Sequence, residues 1–94
     1  MKTIILTGRQ ISLLLKVSNS GCVFYFPVEE FLENNKRLSE DESIELILED
    51  SDYFNDITDM IQLYLQDDSL SDQDYPSEKE RIELGELIVE LNEI

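Results

Sequence analysis

Apolar residues alternate with polar ones up to Pro27 and recur at steps of three and four beyond it, which divides the chain into a β part and an α part. In residues 3–7, TIILT, the apolar Ile4 and Leu6 alternate against threonines, and Gly8 with Arg9 supplies the Gly-X pair that a two-residue hairpin turn favours. The following run QISLLLKVS sets Ile11, Leu13, Leu15 and Val17 on one face of a strand and Ser12, Leu14, Lys16 and Ser18 on the other. NSG at residues 19–21 has turn chemistry, and CVFYF is a rich β-former that Pro27 ends. The spacing predicts a three-stranded antiparallel meander over residues 3–26.

Beyond Pro27, Val28, Phe31, Leu32 and Leu38 fall near one side of a helix over 28–37, with Glu29 and Glu30 in its first turn and Lys36 and Arg37 in its last. Ser39 and Glu42 match a capping box ahead of Ile44, Ile47 and Leu48, which predicts a helix over 40–49. The same IELIL also alternates as Ile44, Leu46 and Leu48, the pattern of a fourth strand. The helix is preferred because the apolar series continues through Phe54, Ile57, Ile61 and Tyr64 into a helix over 52–66. A polar linker with Pro76 follows, and a second capping box, Ser77 and Glu80, opens a helix over 78–93 with Leu84, Leu87, Ile88 and Leu91 as its core stripe, widened by Ile82 and Val89. The expected fold is therefore α+β, one domain over residues 1–94, with the meander packed against three or four acidic helices.

Charge changes this picture more than composition does. The formal charge is -15, from 22 acids against 7 bases and no histidine. Residues 1–28 contain Lys2, Arg9 and Lys16 and no acid, so every acid lies beyond them, and residues 38–78 contain no base. Such a field repels nucleic acid and anionic lipid and attracts basic surfaces. No segment approaches the roughly 20 apolar residues of a membrane span and none reads as an export signal, so a cytoplasmic location is expected. The lone Cys22 fits a reducing compartment and, in an apolar strand, reads as an inert thiol.

Without histidine there is no hydrolytic triad, and without a second cysteine no zinc or iron centre, so no enzyme activity and no cofactor are expected. Residues 67–78 have the length of a calcium loop, with Asp67, Ser69 and Ser71 at its first, third and fifth positions and Glu78 at its twelfth. Asp72 stands where such a loop needs glycine and Pro76 at its tenth position, which leaves a weak calcium-binding module as a minor alternative. Phe24, Tyr25 and Phe26 lack the cationic surroundings of a base-stacking platform and read as packing residues.

What remains is the order of the acids. Glu83, Glu86, Glu90 and Glu93 step by three and four along the last helix, as do Asp52, Asp56 and Asp59 along the middle one, preceded by Glu49 and Asp50. Like charges one turn apart cost a helix a few tenths of a kcal/mol per pair, and a surface tuned only for solubility intersperses lysine among them. Carboxylates at this spacing lie about 5–6 Å apart, a spacing similar to that of successive phosphates, so a basic groove built for nucleic acid accepts them. Tyr53, Tyr64 and Tyr75 stand among these acids as candidate hot-spot contacts. In size, charge and absence of catalytic residues the chain is similar to phage-encoded DNA-mimic proteins, including anti-CRISPR and anti-restriction inhibitors. That similarity implies a partner that is a basic, nucleic-acid-binding protein, and it is carried by composition and by no motif. An immunity protein or antitoxin that neutralises a basic nuclease toxin is the alternative.

Overall fold

The computed structural model describes residues 2–93, with Lys2 and Ser51 described by their backbone alone. The fold is α+β, with four helices and a two-stranded antiparallel sheet in the order β1 (Lys2–Thr7), α1 (Gly8–Asn19), α2 (Phe26–Asn34), β2 (Ser43–Leu48), α3 (Ser51–Gln66) and α4 (Glu78–Asn92). The expected three-stranded meander is corrected: its first strand forms, its second is helix α1, and its third is an extended loop that runs into α2.

The correction begins at Gly8, where the chain passes from β1 straight into α1. Thr7 is the N-cap: its Oγ1 accepts the Gln10 N–H at 3.1 Å, and the Gln10 Oε1 accepts the Thr7 N–H at 2.9 Å. A T-x-x-Q capping box thus replaces the hairpin turn, and no backbone angle near Gly8 enters the left-handed region that a primed turn requires. Residues 11–17 satisfy both periods, because Ile11, Leu13, Leu14 and Val17 are all apolar. A strand would leave Leu14 on its polar face, whereas α1 buries all four. Helix α1 then ends at Ser20, and Gly21, at φ 112°, turns the chain away.

CVFYF has no neighbouring strand to pair with. Phe24 is buried in the core and Cys22 packs against it, while Val23, Tyr25 and Phe26 are exposed. Glu29 fastens this loop, accepting from the Ser18 hydroxyl at 2.7 Å and from the Phe24 N–H at 2.8 Å. Helix α2 ends at Asn34, so Lys36 and Arg37 lie past its last turn instead of within it. Val28 and Leu32 are its buried residues.

The predicted helix over 40–49 is also corrected, to strand β2. Ser39 and Glu42 do join, with the Ser39 Oγ donating to the Glu42 Oε1 at 2.6 Å and the Glu42 N–H to the Ser39 carbonyl at 3.0 Å, but they close a turn ahead of a strand. The strand prevails because β1 offers a partner: Ile4 faces Leu46 and Leu6 faces Ile44 across the ladder. Leu46 and Leu48 point inward with Ile4 and Leu6, while Ile47, assigned inward by the helical reading, is exposed beside Ile5.

The last two helices match their expected extents within two residues. Phe54, Ile57, Ile61 and Tyr64 of α3 and Leu84, Leu87 and Leu91 of α4 are buried, but Ile82 and Val89 are exposed and do not widen the stripe. The buried side chains form one contiguous core, and α1 runs through its middle in contact with β1, α2, α3 and α4. Among the described residues no helix is long and apolar enough to cross a membrane.

Gly8 is buried under the 38–39 backbone. Its N–H donates to the Glu42 carbonyl at 2.9 Å, and a Cβ placed on it would stand 2.1 Å from the Ser39 carbonyl oxygen and 2.6 Å from that of Leu38. Both obstructions are backbone, so Gly8→Ala must displace the loop and is expected to destabilise by about 3 kcal/mol. A Cβ on Gly85, within α4, meets nothing within 4 Å. Gly85→Ala is expected to stabilise by roughly 0.5–1 kcal/mol, and urea unfolding of the two variants reads both signs.

Candidate acidic interface

The two acidic rows have different surroundings. The first begins at the bend between β2 and α3. Glu49, Asp50 and Asp52 are exposed there, and Asp50 caps α3 by accepting the Asp52 N–H at 2.9 Å. Carboxylates in the first turn of a helix favour its dipole, which offsets part of their mutual repulsion. Asp56 is half-buried, its Oδ2 accepting the Tyr25 N–H at 3.1 Å, and Asp59 is exposed farther along the same face. No described Lys or Arg side chain lies within 4 Å of Asp50, Asp52, Asp56 or Asp59.

Half of the second row, Glu83 and Glu90, is engaged within the molecule. Glu83 accepts a two-pronged contact from Arg9, Nε to Oε2 and Nη2 to Oε1, both at 3.0 Å. Lys16, two turns along α1, contacts both Glu80 oxygens at 2.9 and 3.1 Å, and the Gln10 Nε2 donates to the Glu90 Oε2 at 3.3 Å. Arg9 and Lys16 of the acid-free N-terminal segment therefore face the acidic flank of α4. Only Glu86 and Glu93 of the predicted row stand exposed with no hydrogen bond to the carboxylate among the described residues.

This arrangement moves the titration of both partners. The Arg9 hydrogen bonds hold the Glu83 carboxyl below its ordinary range, and Glu83 in turn raises Arg9. At Glu80 burial works against the charged form, but the Ser77 N–H and Lys16 outweigh it and the carboxyl is lowered. Sequence reasoning missed these pairs because it placed residues 10–18 in a strand. Read as helix, Arg9 and Lys16 are seven apart and share a face, a basic stripe that pairs naturally with an acidic one.

The tyrosines also divide. Tyr64 is fully buried and donates its hydroxyl to the Asp74 carbonyl, which ties the acidic linker to α3, and burial pushes its phenol up to about 12. It is removed from the candidate contacts. Tyr75 is exposed, and Tyr53 is half-buried with its ring edge-to-face against Tyr25, centroids 5.2 Å apart at 78°. In the linker, Asp67 accepts from both the N–H and the hydroxyl of Ser69, which lowers its carboxyl, and the Ser71 hydroxyl donates to Asp74. Among the described residues no three Asp, Glu, Cys or His side chains gather where a metal ion would sit. Cys22 is a half-buried loop thiol, corrected from a strand position.

Replacing Glu83 with Gln tests the internal pairing. A carboxyl lowered in the folded state stabilises it above the ordinary value of 4.5 and loses that contribution as pH falls through the folded value. Glu83→Gln is expected to lower stability by on the order of 0.5 kcal/mol at neutral pH. In paired thermal melts the gap from the parent chain should then close as the pH is taken below the ordinary carboxylate range. Compared with family models, curated proteins and solved structures, the chain matches none of them.

Proposed function

We propose that this chain is a non-enzymatic, cytoplasmic inhibitor that binds a basic, nucleic-acid-binding protein, such as a nuclease or a CRISPR- or restriction-type defence complex, by presenting carboxylates in place of phosphates. The supporting observation is the row from Glu49 through Asp59. Its acids are held on an ordered helix start, spaced by helical turns, and those from Asp50 onward have no described cation within 4 Å. Rigid placement separates such a surface from an acidic tail, because a preordered row loses little conformational entropy on docking. Glu86 and Glu93 extend the charged surface, whereas Glu83 and Glu90 serve the fold first.

A second reading, an immunity protein or antitoxin directed at one basic nuclease toxin, is favoured by Tyr25 and Phe26. Imitation of a phosphate backbone needs no aromatic anchor, whereas recognition of a single partner commonly uses one.

The chain, immobilised and exposed to extract of its native host, is expected to retain a basic protein that duplex DNA or RNA displaces. Retention that nucleic acid leaves untouched favours the immunity reading, and retention of no basic protein contradicts both. Salt supplies an independent check on the free chain. Raising sodium chloride from about 50 to about 200 mM should increase the melting temperature by screening self-repulsion, while slowing association with the retained protein.

A further inference from the structure

A shallow groove of about 370 Å³ opens where the α1–α2 loop meets the start of α3, lined by Tyr25, Phe26, Pro27, Asp50, Asp52 and Tyr53. Its walls are aromatic and its rim is acidic. Phe26 is 75% exposed and Tyr25 49%, large apolar surfaces that neither the core nor the sheet uses. The groove is also fixed in shape. Tyr25 is held to α3 by its N–H on the Asp56 carboxylate and by its ring against Tyr53, and Pro27 sets the backbone beside Phe26.

We infer that this groove receives an arginine side chain of the basic partner, an inference that rests on the reading of such a partner given above. Ring faces beside unneutralised carboxylates suit a flat, weakly hydrated cation. The guanidinium stacks on an aromatic face and donates in its own plane to a carboxylate, whereas an ammonium keeps its hydration and cannot stack. Charge excludes the other ligands that favour aromatic walls, nucleobases in a strand and anionic lipid, because Asp50 and Asp52 line the site, Asp56 holds the Tyr25 N–H beside it, and no described cation pairs with any of them. Asp50 and Asp56 each give one oxygen to a backbone N–H, whereas Asp52, exposed and with no hydrogen bond to its carboxylate among the described residues, has both oxygens open to the guanidinium.

Three glycine-flanked peptides, carrying four arginines, four lysines or four citrullines, test this by titration at low salt with the backbone amides followed by NMR. The arginine peptide should bind roughly three- to fivefold more tightly than the lysine peptide, the ratio an exposed cation–π contact supplies. Its shifts should centre on the amides of Tyr25, Phe26 and residues 50–53, and the citrulline peptide should not bind. Phe26→Ala, at an exposed position, should keep the melting temperature and bring the arginine-to-lysine ratio close to one, while Asp52→Asn should weaken both cationic peptides. Equal binding of arginine and lysine peptides, shifts spread evenly over the acids, or no binding of either would overturn the groove. If the arginine peptide seats in the groove but nucleic acid fails to displace the host protein, the mimicry reading falls and the groove remains.

Discussion

The structure depends on the chain passing from β1 into α1 without a loop. Thr7 and Gln10 cap the helix reciprocally, and Gly8 lets the 38–39 backbone close over the junction. That closure brings residues 43–48 alongside β1 in antiparallel register, so the sheet and the central helix are set by one joint. With α1 in the middle, its apolar residues meet α2, α3 and α4, and the four helices share one core with the inner face of the sheet.

The same placement settles how the charge is divided. Arg9 and Lys16 of the acid-free segment both lie on α1 and are carried to the flank of α4, where Glu83 and Glu80 meet them. These pairs add modestly to stability because they remain partly solvated, but they orient α4 against α1. The acids of residues 49–59 lie instead at the bend before α3 and along that helix, where Asp56 holds the aromatic loop that Glu29 also fastens. Glu83 and Glu90 of the predicted acidic surface thus serve the fold, and the 49–59 row is the face proposed for a partner.

What could be read in advance follows a physical rule. Helices α3 and α4 were legible because each has an apolar stripe that fits a 3.6 period, Phe54, Ile57, Ile61 or Leu84, Leu87, Leu91, and α4 also has the Ser77 cap; the Asp50 cap of α3 emerges only in the structure. Residues 10–18 and 44–48 were misread because their apolar residues satisfy both periods, and the decision rests with the partner available in three dimensions. Ile44, Leu46 and Leu48 become a strand only because β1 lies free beside them. For the site, exposed acids on α3 were legible from spacing alone, but the loss of Glu83 and Glu90 to α1 was not, since it follows from the misread segment. The aromatic groove was hidden for the same reason: once residues 22–26 are placed in a sheet, Tyr25 and Phe26 look like packing.

The central claim is that position, and not total charge, makes the 49–59 face the interface. Two double variants remove the same formal charge, Asp52→Asn with Asp59→Asn, and Glu83→Gln with Glu90→Gln, so the field at long range changes equally. Stopped-flow association with the basic protein retained from the host compares them directly. The account predicts that the first pair slows association several-fold with folding intact, while the second lowers the melting temperature and leaves the rate close to that of the parent. Equal slowing by both pairs, or slowing by the second alone, would contradict it.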